Sequence, residues 1–92
     1  MGAAGNGFVG VKSHFRGIEA DGAVELYFFA GGYAGIVPVE GGRCNVAALL
    51  DRRAFPAAEP TVPGLIRAAA ERSPPLKARL AGAEPVPGSQ AA

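Results

Sequence analysis

The spacing of hydrophobic residues changes once along this chain, near Thr61. Before that point apolar residues come in short runs separated by turn residues, and after it they recur every three or four positions. Residues 8–15 alternate well enough for a strand, Ala20-Asp21-Gly22 supplies a hairpin turn, and residues 23–29 form the partner strand. A second pair spans residues 33–39 and 43–50, joined by Glu40-Gly41-Gly42, where the glycines accept positive φ at no steric cost. Asp51-Arg52-Arg53 ends this pair in solvent, and Ala54 to Pro60 shows no periodicity that would define an element. Thr61 then caps a helix with Pro63 in its first turn. Leu65, Ile66, Ala69 and Ala70 share one face of it, while Arg67, Glu71 and Arg72 point away. Ser73-Pro74-Pro75 stops that helix and caps a shorter one, in which Leu76 and Leu80 sit one turn apart before Gly82 ends it. The pattern predicts an α+β fold, an antiparallel β-meander of about four strands followed by two short helices on one face.

Domain limits follow from the same pattern. Residues 1–6 read as a flexible start and 7–82 as a single α+β domain. Residues 83–92, with Pro85, Pro87, Gly88, Ser89 and Gln90, read as a disordered tail. The 14 glycines and 8 prolines among 92 residues stay below the roughly 25–30% at which low complexity becomes the default reading. With 49% hydrophobic residues, a folded centre with loose ends is the better account.

Strand alternation also assigns faces. Phe8, Gly10, Lys12 and His14 oppose Val9, Val11, Ser13 and Phe15; Val24, Leu26 and Phe28 oppose Glu25, Tyr27 and Phe29; Tyr33, Gly35, Val37 and Val39 oppose Ala34, Ile36 and Pro38. Large apolar groups stand on both sides, the pattern of a sheet covered on both faces. Two short helices cover only one. The other face requires a partner, and self-association through it is the expected consequence in isolation.

The chemistry on offer is sparse. Nine basic and eight acidic residues give a net charge of +1, which provides no electrostatic footprint for nucleic acid or an anionic membrane. The single cysteine, Cys44, lies in a predicted strand as apolar packing, and with the single histidine, His14, it is too little for a metal site. His14 lacks a neighbouring carboxylate or nucleophile that would make it an acid or base, so no catalytic residue is assigned. No apolar run approaches the roughly 18 residues of a membrane span, and no signal peptide is visible; a cytoplasmic location is the expectation.

The wording of the second strand pair is more specific. Tyr33-Ala34-Gly35-Ile36-Val37-Pro38, then the Gly-Gly turn, then a strand containing Asn45-Val46-Ala47, resembles the substrate-domain hairpin of FAD-dependent oxidoreductases of the geranylgeranyl reductase type, within the p-hydroxybenzoate hydroxylase fold. The family pattern is Tyr-x-Trp-x-Phe-Pro; this chain keeps Tyr33 and Pro38 and has Gly35 and Val37 at the aromatic positions. The segments around Phe8–Gly17 and Val24–Phe29 are similar to the strands that precede that hairpin. The resemblance implies a cavity wall facing the flavin, with Tyr33, Gly35, Val37, Pro38 and Asn45 as candidate lining residues. It implies FAD in a full-length parent acting as a reductase or monooxygenase, and as partners the remainder of that flavoenzyme or an apolar small-molecule substrate.

The family's Gly-x-Gly-x-x-Gly fingerprint and its late Gly-Asp motif are not found here. Gly2-Ala3-Ala4-Gly5-Asn6-Gly7 has no strand before it and no predicted helix after it, as a pyrophosphate cradle requires. The chain alone is therefore expected to hold no FAD and to be non-catalytic, because the cofactor carries the hard chemistry in flavoenzymes. Each candidate also has a plain structural reading: Tyr33 as cross-strand packing, Pro38 as a strand-edge marker, Asn45 as a partner to a neighbouring strand. A stand-alone small α+β binding or interaction module without redox chemistry is the alternative to the flavoenzyme fragment.

Overall fold

The structure is a computed structural model that describes the backbone of Gly2–Ala3 and residues 7–19 and 22–91. Four strands make the body of the sheet: β2 (Phe8–Arg16), β3 (Glu25–Phe29), β4 (Gly32–Val39) and β5 (Arg43–Asp51). A two-residue strand, β1 (Gly2–Ala3), precedes them. After β5 come a 3₁₀ turn (Arg52–Ala54), helix α1 (Val62–Arg72), helix α2 (Pro74–Leu80) and a second two-residue strand, β6 (Glu84–Pro85). All pairings are antiparallel, in the order β1-β2-β5-β4-β3, with β6 also on β2. The α+β class, the antiparallel meander β3-β4-β5 and the two helices on one face are as the periodicity indicated.

The partner of β2 differs from the expected hairpin with residues 23–29. Ala20 and Asp21 of the supposed turn lie outside the described residues, and β2 pairs with β5 along its whole length, from Phe8↔Asp51 to Arg16↔Arg43. The reason is length: β5 matches all nine residues of β2, whereas β3 has five, so the distant pairing satisfies more backbone groups. Ile18, 8% exposed, is part of the core.

Residues 83–91, expected as a disordered tail, also depart from expectation. They form a strap along the outer edge of β2, where Phe15 and Arg16 pair with β6. Val86 N donates to His14 O, His14 N donates to Ser89 Oγ, and Lys12 and Ala91 exchange two backbone bonds. Val86 is buried at 7% exposure. A proline-rich composition suggested disorder, but an edge strand offers unpaired backbone groups, and short segments around Pro85 and Pro87 take them up.

The helices are capped as their sequence dictates. Thr61 Oγ1 accepts from Gly64 N at 3.1 Å. Buried Ser73 ends α1 by donating its N–H to Ala70 O and starts α2 by accepting from Leu76 N at its Oγ. Leu65, Ile66, Ala69 and Leu76 press onto Val9, Val11, Ile36, Val46 and Leu50, and this layer between sheet and helices is the core. Cys44 is buried in it as a free thiol. Arg72 ties the C-terminus of α1 to the β3–β4 turn and the 3₁₀ turn, donating to Ala30 O and Ala54 O while its guanidinium stacks 4.2 Å from the Phe55 ring centroid. No helix among the described residues is long and apolar enough to cross a membrane.

Candidate functional site

The face of the sheet turned away from the helices is the candidate site. Directly opposed residues share a face, so the register prints its surface row by row. Phe28, Tyr33, Leu49 and Gly10 form one row; Leu26, Gly35, Ala47 and Lys12 the next; then Val37, Asn45 and His14; and last Val39, Arg43, Arg16 and Glu84. The β3–β4 half is apolar and open. Phe28 is 74% exposed, Val24 60%, Leu26 59% and Tyr33 44%, with the Phe28 and Tyr33 rings 5.8 Å apart between centroids.

The β2–β5 half is polar and cationic. Arg16 stands directly opposite Arg43, with Lys12 on the same face of β2. Neither arginine has an ion-pair partner among the described residues, although Glu84 follows Arg16 in the row. Glu25 faces the helices instead, opposite Ile36. There Arg79 Nε donates to it at 2.7 Å and the Tyr27 hydroxyl also donates. The Arg79 bond, then the Tyr27 bond, hold the Glu25 carboxyl below its ordinary value of 4.5. Burial, then the Glu25 bond, push the Tyr27 hydroxyl up.

Of the five candidate residues, Tyr33, Gly35, Val37 and Asn45 lie together on the open face. Asn45 sits between Val37 and His14 and makes no side-chain hydrogen bond among the described residues. Gly35 leaves a shallow gap: a Cβ there would meet only Leu26 Cδ2 at 3.4 Å and Glu25 O at 3.6 Å. Pro38 does not join them. Strand alternation puts it on the helix side with Ala34 and Ile36, opposite Cys44, and the β3–β4 ladder has already stopped at Ile36. The rows the sequence did not reveal are the ones that cross from β4 to β2 through β5, because they depend on a pairing that is distant in sequence. The cationic corner was missed for the same reason, although the parity of Lys12, Arg16 and Arg43 could have placed it.

Of the glycine-rich start, the described parts are β1 and Gly7, and Gly7 leads directly into strand β2 rather than into a helix whose N-terminus could face a pyrophosphate. Among the described residues no cluster of His, Cys, Asp and Glu suits a metal ion.

The chain matches no protein-family model and no curated protein by sequence. Its fold is nevertheless that of a segment of a flavin-dependent enzyme. The solved structure of flavin-dependent brominase Bmp2 superposes with a TM-score of 0.75 over 90% of this chain at 18% identity, and a triple mutant of that brominase gives 0.74 at the same identity. At that identity the likeness is one of fold. The match spans 22% of the brominase chain. The geranylgeranyl reductase type itself finds no support in these comparisons.

Proposed function

We propose that this chain is the substrate-binding portion of an FAD-dependent oxidoreductase or monooxygenase, with its open sheet face forming one wall of a cavity in front of the flavin. The observation that carries the reading is the asymmetry of the sheet. One face is sealed by α1 and α2, while the other exposes Val24, Leu26, Phe28 and Tyr33 in a domain whose fold recurs inside a flavin-dependent enzyme. Val37, Tyr33 and the gap at Gly35 offer an apolar surface to a substrate, and Asn45 offers an amide to fix its orientation. The flavin is supplied by the rest of the parent. This chain contributes shape and orientation to the reaction.

The test begins with the coding DNA on either side: a Gly-x-Gly-x-x-Gly segment upstream and a Gly-Asp segment downstream define the parent. In that parent, Gly35→Trp fills the wall and should lower affinity for bulky apolar substrates while leaving flavin content unchanged. Unchanged affinity across substrate sizes removes the cavity assignment. A stable yellow complex of the isolated chain with micromolar FAD removes the division of labour, and flanking DNA without either motif favours the stand-alone binding module.

A further inference from the structure

The helix side of the sheet keeps a concavity that this reading does not use. It is a cleft of about 390 Å³ between β2, α1, α2 and the C-terminal strap, within the roughly 300–1,000 Å³ of small-molecule sites. Phe15, Ile66, Ala70, Leu80 and Pro85 give it apolar walls. Ser13, 1% exposed, opens onto it with a hydroxyl that donates to the His14 carbonyl.

Three charged side chains border the cleft: Arg67, Glu71 and Lys77. Lys77 Nζ lies 3.1 Å from Glu71 Oε1, so these two offset each other across the α1–α2 junction. Arg67, one turn before Glu71, has no ion-pair partner among the described residues. An apolar hollow with one uncompensated guanidinium at its border complements an apolar body bearing a single anionic end. A neutral ligand leaves the guanidinium unused, and a cationic one is repelled by it.

We propose that this cleft binds a medium-chain aliphatic carboxylate, its chain against Ile66 and Leu80 and its head on Arg67. The site lies across the sheet from the open face and is independent of the flavoenzyme reading.

The experiment is a titration of the isotopically labelled chain with decanoate, below its micellar concentration, against decanol and decyltrimethylammonium, followed by NMR. Saturable shifts at Ile66, Ala70 and Ala83 are expected with decanoate, and weaker ones with decanol. Arg67→Gln should weaken decanoate about tenfold and leave decanol unchanged, which is the loss of one charge-assisted contact. Ala81→Trp, at an exposed position beside the cleft, should block both ligands without burdening the core. No saturable shift, shifts confined to the open face at Leu26, Phe28 and Val37, or equal decanoate affinity in Arg67→Gln would each overturn the proposal.

Discussion

The two faces of this sheet are made by the same strands, and they are built to different ends. Ile36, Val46, Leu50 and Leu76 are 0% exposed on the helix side, while Phe28, Val24 and Leu26 stand 74%, 60% and 59% exposed on the other. Both sets are large and apolar, so hydrophobicity alone does not say which residues hold the fold together. Packing does: the buried set loses its water to neighbouring side chains, and the exposed set keeps its water and adds little to stability. What stands on the open face is therefore not explained by the folding of this chain in isolation, and that surplus makes it the candidate functional surface.

The comparison breaks most visibly under truncation. Leu76→Ala should cost about 2–5 kcal/mol, since it opens a cavity in a closed layer, whereas Phe28→Ala should fall within about 0.5 kcal/mol of the parent chain. Denaturant midpoints of the two variants measure the contrast. A Phe28→Ala loss comparable to Leu76→Ala would mean that the open face is covered in the isolated chain. The complementary double variant, Leu26→Lys with Phe28→Lys, should leave the midpoint nearly unchanged, abolish self-association and sharply lower hydrophobic-dye binding, read by light scattering and fluorescence. Unchanged self-association would locate the associating apolar surface elsewhere.

Two glycines of β4 sharpen the same contrast at smaller scale. A Cβ on Gly32 would come within 2.1 Å of the Leu49 carbonyl oxygen, a backbone atom that cannot step aside without moving β5. Gly32→Ala should cost about 1–3 kcal/mol by overpacking. Gly35→Ala meets nothing closer than the Leu26 side chain at 3.4 Å and should be tolerated within about 0.5 kcal/mol. Equal losses at the two positions would mean that Gly35 is packed, and its place in a cavity wall would be lost.

Much of this was legible before the structure because it is local. Thr61 with Pro63, Ser73 with Pro74, and the parity of Leu26 and Phe28 against Tyr27 are all decided within a few residues. What was hidden depends on contacts distant in sequence. The pairing of Arg16 with Arg43 follows from β2 choosing β5 over its nearer neighbour, and the strap meets β2 through His14 and Ser89, 75 positions apart in the chain. Tyr33, Gly35 and Val37 fall on one face by simple alternation, and Asn45 joins them through its register opposite Val37. Pro38 was grouped with them by its place in a motif, and alternation sends it to the other side.

The smallest effects concern charge, and here the faces should respond with opposite sign. On the helix side Glu25 bonds Arg79 and Tyr27, and its folded pKa lies below the unfolded value. Its contribution is therefore present above about pH 4.5 and is lost as pH falls through the folded value. Glu25→Gln should lower stability at neutral pH by at most about 1 kcal/mol, and the difference from the parent chain should vanish in acid. A difference that persists in acid would assign Glu25 a packing role instead. On the open face Arg43→Gln removes one of two like charges directly opposed across β2 and β5, so it should raise stability by about 0.2–1 kcal/mol, the scale of a cross-strand pair. That gain should shrink with added salt. Loss of stability in Arg43→Gln would show that the guanidinium is held by the sheet itself, leaving the cationic corner unavailable to whatever covers this face.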